Sequence, residues 1–151
     1  MISNMIKGEV CAIKIVETHS VTETEQAGKA FAETIVDGTV IALYGGLGMG
    51  KTAFVRGMAQ HLCPKAEVSS PTFAIVNDYG GQPPLVHFDM YRIGGWEDLE
   101  TTGFFEYIDQ GAVVVVEWSE NIEGALPPST RRVRFARLSD TERRIEMEES
   151  V

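Results

Sequence analysis

The chain has little of what metal and redox centres are built from. Its two cysteines, Cys11 and Cys63, lie far apart without metal-ligand spacing, and His19, His61 and His87 form no cluster. That argues against a zinc site and leaves the cysteines as buried thiols or bystanders in a reducing compartment. No run of eighteen apolar residues is present, so no membrane-spanning helix is expected. Residues 1–10 lack the continuous apolar centre of a secretory signal, which makes the cytoplasm the expected location. Positive charge is scarce. Thirteen Lys and Arg against twenty-two Asp and Glu give a net charge of −9, and a chain this acidic lacks the surplus cations that non-specific nucleic-acid binding needs. One basic cluster, Arg131, Arg132, Arg134 and Arg137, reads as alternating charge on the exposed face of a strand, with a partner-binding surface as the alternative. Repeats, low-complexity tracts and signs of a second domain are also lacking. With 44% apolar residues, 151 residues suffice for one domain with a sizeable core.

What is present is concentrated between residues 39 and 62. Gly45-Gly46-Leu47-Gly48-Met49-Gly50-Lys51-Thr52 is a complete G-x-x-x-x-G-K-[ST] phosphate-binding loop. The β-branched run Thr39 to Tyr44 leads into it, and the helix-compatible stretch Lys51 to Leu62 leaves it. The chemistry requires that context. Backbone N–H groups of the loop and the positive end of the following helix converge on phosphate oxygens. Lys51 neutralises the β and γ phosphates, and the Thr52 hydroxyl joins the shell of a Mg²⁺ ion.

Around this centre the pattern predicts a strand over Val10–Val16. A helix follows, opened by a capping box at Thr22-Glu23-Thr24-Glu25, with Ala27, Ala30, Phe31 and Ile35 as its buried stripe and Asp37-Gly38 as its stop. Strands are predicted at Phe73–Tyr79 and Leu85–Asp89, joined by a turn at Gly80–Pro84. The stretch Trp96–Ile108 is partly helical, interrupted at Gly103, and Ala112–Trp118 is a continuous apolar strand suited to the middle of a sheet. Two closing strands, Arg131–Leu138 and Arg143–Glu148, complete a three-layer α/β pattern with a mixed sheet.

A phosphate loop works with an acid at the end of a neighbouring strand. Glu117, after four valines, has the form of a Walker B acid at the sheet edge where α/β folds bind ligands; Asp89, after Leu85-Val86-His87-Phe88, is the second candidate. Thr72, in Ser70-Pro71-Thr72, stands about where nucleotide switches place a threonine that senses the γ-phosphate, although the same residues also suit an ordinary Ser-Pro turn. His87 reads as a structural histidine rather than a general base.

Together these motifs resemble the TsaE (YjeE) family, the small ATPases of bacterial tRNA threonylcarbamoyladenosine biosynthesis, from the first helix to the end of the chain. The residues that carry the resemblance are the glycine loop, Phe54-Val55-Arg56-Gly57, Ser70-Pro71-Thr72-Phe73, His87-Phe88-Asp89-Met90-Tyr91-Arg92 and Glu117-Trp118. The resemblance implies a single P-loop ATPase domain over 1–151 with an NTPase-like fold. ATP would be held by Gly45, Leu47, Gly48, Met49, Gly50, Lys51 and Thr52, and Mg²⁺ by Thr52 and Glu117. Asp89 would stand beside the γ-phosphate as a catalytic acid, with Glu117 and Lys51, and Thr72 would belong to a switch-like segment. Trp118 would lie close to the site, Val21 and Thr22 would border the base, and Arg143 or Arg144 would reach in from the C-terminal strands. Gly46 and Met49 depart from the family pattern but contribute mainly backbone, and Ser119, where the family commonly has proline, alters only the local turn. The implied partners are the TsaB and TsaD proteins, with tRNA reached only indirectly and no membrane involved. Hydrolysis would be slow and partner-dependent, with Arg56 and Arg92 as candidate arginine fingers.

Three other functions share parts of this pattern. A nucleoside or small-molecule kinase needs a mobile arginine-bearing lid, and none is evident between Glu97 and Ala112. A GTP switch fits Asp78-Tyr79-Gly80-Gly81 as D-x-x-G, but no N-K-x-D follows. A non-catalytic nucleotide-sensing subunit needs the same Lys51, Thr52 and Glu117 as an ATPase.

Overall fold

A computed structural model describes residues 4–6, 9–46, 48–69 and 75–150. Its eight strands are β1 (Asn4–Ile6), β2 (Glu9–Thr18), β3 (Val40–Tyr44), β4 (Val76–Gly81), β5 (Pro84–Asp89), β6 (Val113–Glu117), β7 (Arg131–Arg137) and β8 (Arg143–Ser150). Four helices, α1 (Val21–Ala32), α2 (Lys51–Leu62), α3 (Trp96–Thr101) and α4 (Phe104–Asp109), and a kinked 3-10 stretch, Ser119–Ala125, complete the fold. All eight strands form one sheet in the order β1-β2-β8-β7-β3-β6-β5-β4. The centre, β7-β3-β6-β5, is parallel, and both flanks are antiparallel. The sheet is therefore mixed, as the sequence pattern predicts.

Strand alternation divides the interior into two cores. Val113 and Val115 of β6 face α1 and α2 together with Ile41, Leu43, Phe54 and Met58. Val114 and Val116 face the other way, onto Phe88, Leu99 and Phe104. A valine run without polar interruption is what a strand covered on both faces requires. Leu99 and Phe104 are almost wholly buried, so α3 and α4 are a fixed layer and not a lid.

Several element details differ from the sequence expectation. The capping box sits two residues earlier. Ser20 is extended (φ −159°, ψ 163°) and its hydroxyl accepts from the Glu23 N–H at 3.1 Å, while the Glu23 carboxylate accepts from the His19 N–H at 2.8 Å. Thr22 therefore lies inside the first turn. Of the expected stripe of α1, Phe31 is buried and Ala27 and Ile35 pack against the same core, Ile35 from beyond the helix end, whereas Ala30 is exposed; Thr24, Gly28 and Ala32 complete the buried face. Gly28 belongs to it because α1 meets α2 through glycine. A Cβ on Gly28 would stand 2.0 Å from the Phe54 carbonyl oxygen, and one on Gly57 1.8 Å from that of Glu25. The strand expected at Phe73–Tyr79 is described only as β4; Phe73 and Ala74 lie outside the described residues. Asp78 accepts from the Gly80 N–H at 2.9 Å, so the D-x-x-G string there is hairpin chemistry. Arg131 is not part of an exposed charged face. It is buried over the Phe31 ring (4.6 Å) and donates from Nε to the Glu148 carbonyl at 2.7 Å, because β7 lies between β3 and β8 and its start tucks under the end of α1.

Candidate nucleotide site

The parallel strands all end on one edge of the sheet, and the chemistry-bearing residues collect there. β3 delivers the glycine loop, β5 ends at Asp89, β6 ends at Glu117, and both α1 and α2 begin at this edge. A cavity of about 660 Å³ opens between them. Its floor is Gly48, Met49, Gly50, Lys51, Thr52 and Glu117; its walls are His19, Ser20, Val21 and Thr24 on one side and Asp140, Thr141 and Arg143 on the other. Gly48 (φ 74°) and Gly50 (φ 98°) hold the left-handed backbone that turns loop amides toward the start of α2, which a side chain at either position would strain. Among the described residues no side chain caps that helix N-terminus, which leaves its amides to an anion.

Lys51, the first residue of α2, is buried. Its Nζ donates to the Gly45 carbonyl at 2.7 Å and stands 3.2 Å from Glu117 Oε1. The other Glu117 oxygen, Oε2, stands 2.6 Å from Nε2 of His87, which is fully buried on β5. Burial works against the Glu117 charge, but the hydrogen bond and charge interaction with His87 and the charge and hydrogen bond of Lys51 overcome it and hold the carboxyl below the usual glutamate range. Glu117 is thus an anion clamped between two donors.

Asp89 is one strand further along, in register with Glu117. It is partly buried, accepts from the Tyr91 N–H at 2.9 Å, and stands beside the cavity without lining it. The Met90 N–H donates to the Glu117 carbonyl and the Asn121 amide to the Met90 carbonyl, which ties the ends of β5 and β6 together. Trp118 turns out of the strand with φ 58° and stacks edge-on to Tyr91 at 4.9 Å; it is exposed and lines no part of the cavity. Val21 lines it and Thr22 does not. Gly45 contributes its carbonyl to Lys51. Leu47 and Thr72 lie outside the described residues. Arg56 is bound to Glu25 of α1 at 2.8 Å, on the α1–α2 contact and away from the cavity, which argues against a finger role for it.

The structure also separates Arg143 from Arg144. Arg143 lines the cavity and donates to the Gly48 carbonyl at 3.0 Å, whereas Arg144 alternates to the opposite face of β8 beside Glu146. Arg143→Ala is accordingly expected to weaken ATP binding about tenfold, as loss of one charge-assisted contact does, and Arg144→Ala to leave it within about twofold. Calorimetric titration of both variants checks this, and equal losses would contradict the assignment.

Sequence reasoning missed three contributors to this site. His87 becomes visible as the partner of Glu117 only once β5 and β6 are known to be neighbours in register. His19, 3.2 Å from Glu23 and 3.4 Å from Glu142, spans the cavity mouth from α1 to the β7–β8 turn. Asp140 is the acid of that turn and pairs with Arg137. His19 and Asp140 carry no local sequence signal, and His87, although it opens the His87–Arg92 motif, reads from the sequence as a structural histidine only.

The donor set suits Mg²⁺. The Thr52 hydroxyl and the Glu117 carboxylate, both hard oxygen donors, line one cavity beside a phosphate-type loop. Among the described residues no cluster of three or more His, Cys, Asp or Glu could hold a metal by itself. That is consistent with an ion completed by substrate oxygens and water.

Comparison with known proteins agrees with this geometry. The family described as "Threonylcarbamoyl adenosine biosynthesis protein TsaE" matches residues 18–145, a span that contains every residue lining the cavity. A tRNA threonylcarbamoyladenosine biosynthesis protein TsaE from Treponema pallidum (strain Nichols) is 34% identical over 128 residues, covering 85% of this chain and 95% of that one. The protein of the same name from Bacillus subtilis (strain 168) is 39% identical over 124 residues, covering 82% and 77%. The crystal structure of Bacillus subtilis YdiB superposes with a TM-score of 0.74 at 31% identity, covering 93% of this chain and 88% of that one.

Proposed function

The chain belongs to the TsaE family, and on that premise we propose that it is the ATP-hydrolysing subunit of tRNA threonylcarbamoyladenosine biosynthesis. In this reading it acts on a TsaB–TsaD pair and not on tRNA directly. The observation that carries the reading is the joining of Lys51, Thr52 and an ionised Glu117 in one cavity at the uncapped N-terminus of α2. The net charge of −9 supports a role beside the tRNA. No helix among the described residues is long and apolar enough to cross a membrane, and a cytoplasmic location is part of the proposal.

The loop amides and the α2 N-terminus would bind the phosphates of ATP, with Lys51 neutralising β and γ oxygens. Thr52 and Glu117 would hold Mg²⁺, which when bound offsets phosphate charge and orients the γ-phosphoryl group. Asp89, in register with Glu117, would orient the attacking water. Val21 would border the base with Thr22 beside it, Trp118 would lie at the rim, and Thr72 would serve as a switch-like sensor. The cationic side chains among the described residues lining the cavity are Lys51 and Arg143, with His19 at its mouth. A partner that orders the site or supplies further charge explains why hydrolysis by the free protein would be slow.

The test is ATP hydrolysis by the purified protein, alone and with TsaB and TsaD, alongside Glu117→Ala and Asp89→Ala. Partner stimulation that both variants lose is the expected result. Hydrolysis that is indifferent to the partners but rises with a nucleoside or sugar acceptor would replace this reading with a kinase.

A further inference from the structure

We infer that His87 is a positioning residue for Glu117: its Nε2–H holds the carboxylate so that Oε1 faces Lys51 and the cavity. This rests on the reading of the cavity as an ATP site. Three observations carry it. His87 is fully buried, and its Nε2 lies 2.6 Å from Glu117 Oε2, a short contact of the charge-assisted kind. β5 and β6 are parallel neighbours with His87 opposite Val115 and Asp89 opposite Glu117. His87, Asp89 and Glu117 therefore face the same side of the sheet, and the imidazole reaches the acid across the strand gap. Finally, Nδ1 of His87 has no hydrogen-bond partner among the described residues.

Among the described residues the one hydrogen bond of the ring is therefore the bond to Glu117. A carboxylate only accepts, so in this bond Nε2 is the donor. The ring lies 6.5 Å from the Tyr79 ring of the adjoining β4. A histidine kept only for packing needs no carboxylate at 2.6 Å; here the bond fixes which oxygen of Glu117 is free to work with Lys51 and Thr52. His87 touches neither the cavity nor its contents, so it acts through Glu117 alone.

The experiment compares His87→Leu, which keeps the apolar volume and removes the donor, with His87→Gln, whose amide nitrogen sits near the position of Nε2. In partner-stimulated hydrolysis His87→Leu is expected to lose about 10–100-fold in kcat, the usual cost of removing a group that orients a metal-site ligand. KM for ATP should stay within about threefold, and His87→Gln should recover most of kcat. In a Glu117→Ala background, His87→Leu should add nothing. Full activity in His87→Leu, or equal losses in Leu and Gln at matched thermal stability, would overturn the inference. If the wild type hydrolyses no ATP with or without partners, the functional reading fails by itself. Nitrogen-15 spectra of the His87 ring in the free protein then decide the positioning role. A protonated Nε2, perturbed by Glu117→Ala, supports it; a ring without a proton on Nε2 overturns it.

Discussion

Lys51→Ala is expected to lower ATP affinity by about 100-fold and to abolish hydrolysis, the largest functional effect available to one substitution here. A hundredfold corresponds to about 2.7 kcal/mol, in keeping with loss of a charge-assisted contact to the β and γ phosphates in a partly desolvated cavity. Lys51→Arg should not rescue it. The side chain is only 10% exposed and is already held between the Gly45 carbonyl and Glu117, so a planar guanidinium has no room to adopt the same path. The variant should also change acid sensitivity. Glu117 has a folded pKa below its ordinary value, so its contribution to stability is present above the ordinary carboxylate range and is lost as pH falls through the depressed value. Without Lys51 one of the two groups that depress that pKa is gone. The Lys51→Ala protein should then differ most from wild type at neutral pH and approach it in acid. ATP titration by calorimetry and melting scans from pH 7 to pH 3 measure both effects. An alanine variant that binds ATP within threefold of wild type would remove this cavity as the phosphate site.

Gly57→Ala and Gly28→Ala should each destabilise the fold by roughly 3 kcal/mol or more, at or beyond the upper end of overpacking costs. For a domain of this size that is roughly 6–12 °C in melting temperature. An added methyl at Gly57 would lie 1.8 Å from the Glu25 carbonyl oxygen and at Gly28 2.0 Å from that of Phe54. In both cases the obstacle is backbone, which no rotamer change relieves. Either α1 or α2 must move, and α2 carries Lys51 and Thr52 in its first turn. The Phe31–Phe54 and Phe54–Phe135 contacts, at 5.5 and 5.3 Å, would be strained with it. The two substitutions act on one contact, so the double variant should cost less than the sum of the singles. Scanning calorimetry decides this, and a Gly57→Ala protein melting within 2 °C of wild type would show that the helices separate freely.

The legible parts of this protein share one property: their chemistry is local. The glycine loop, the helix it opens and the valine run ending at Glu117 are contiguous stretches whose spacing carries their own geometry. They reappear as Val40–Tyr44, Lys51–Leu62 and Val113–Glu117. The start of α1 was misplaced by two residues because S/T-x-x-E reads equally well from Ser20 and from Thr22, and only the extended backbone at Ser20 distinguishes them. Gly28 is absent from the predicted stripe of α1 because glycine registers as neither apolar nor polar in a periodicity pattern, yet it is where the two helices touch. Arg131 is expected in solvent because its charge groups it with Arg132, Arg134 and Arg137, whereas strand alternation puts it on the face of Val133 and Phe135, which the structure buries.

By itself the sequence determined that a phosphate loop joins a strand to a helix, that an acid ends a buried strand, and which family motifs accompany them, because each is written in consecutive residues. Only the tertiary structure decided how they combine. Glu117 lies between Lys51 and His87, Arg143 and not Arg144 reaches the loop, and Trp118 turns outward. Those relations depend on strand order and register, which are set by packing two apolar faces at once and have no local code.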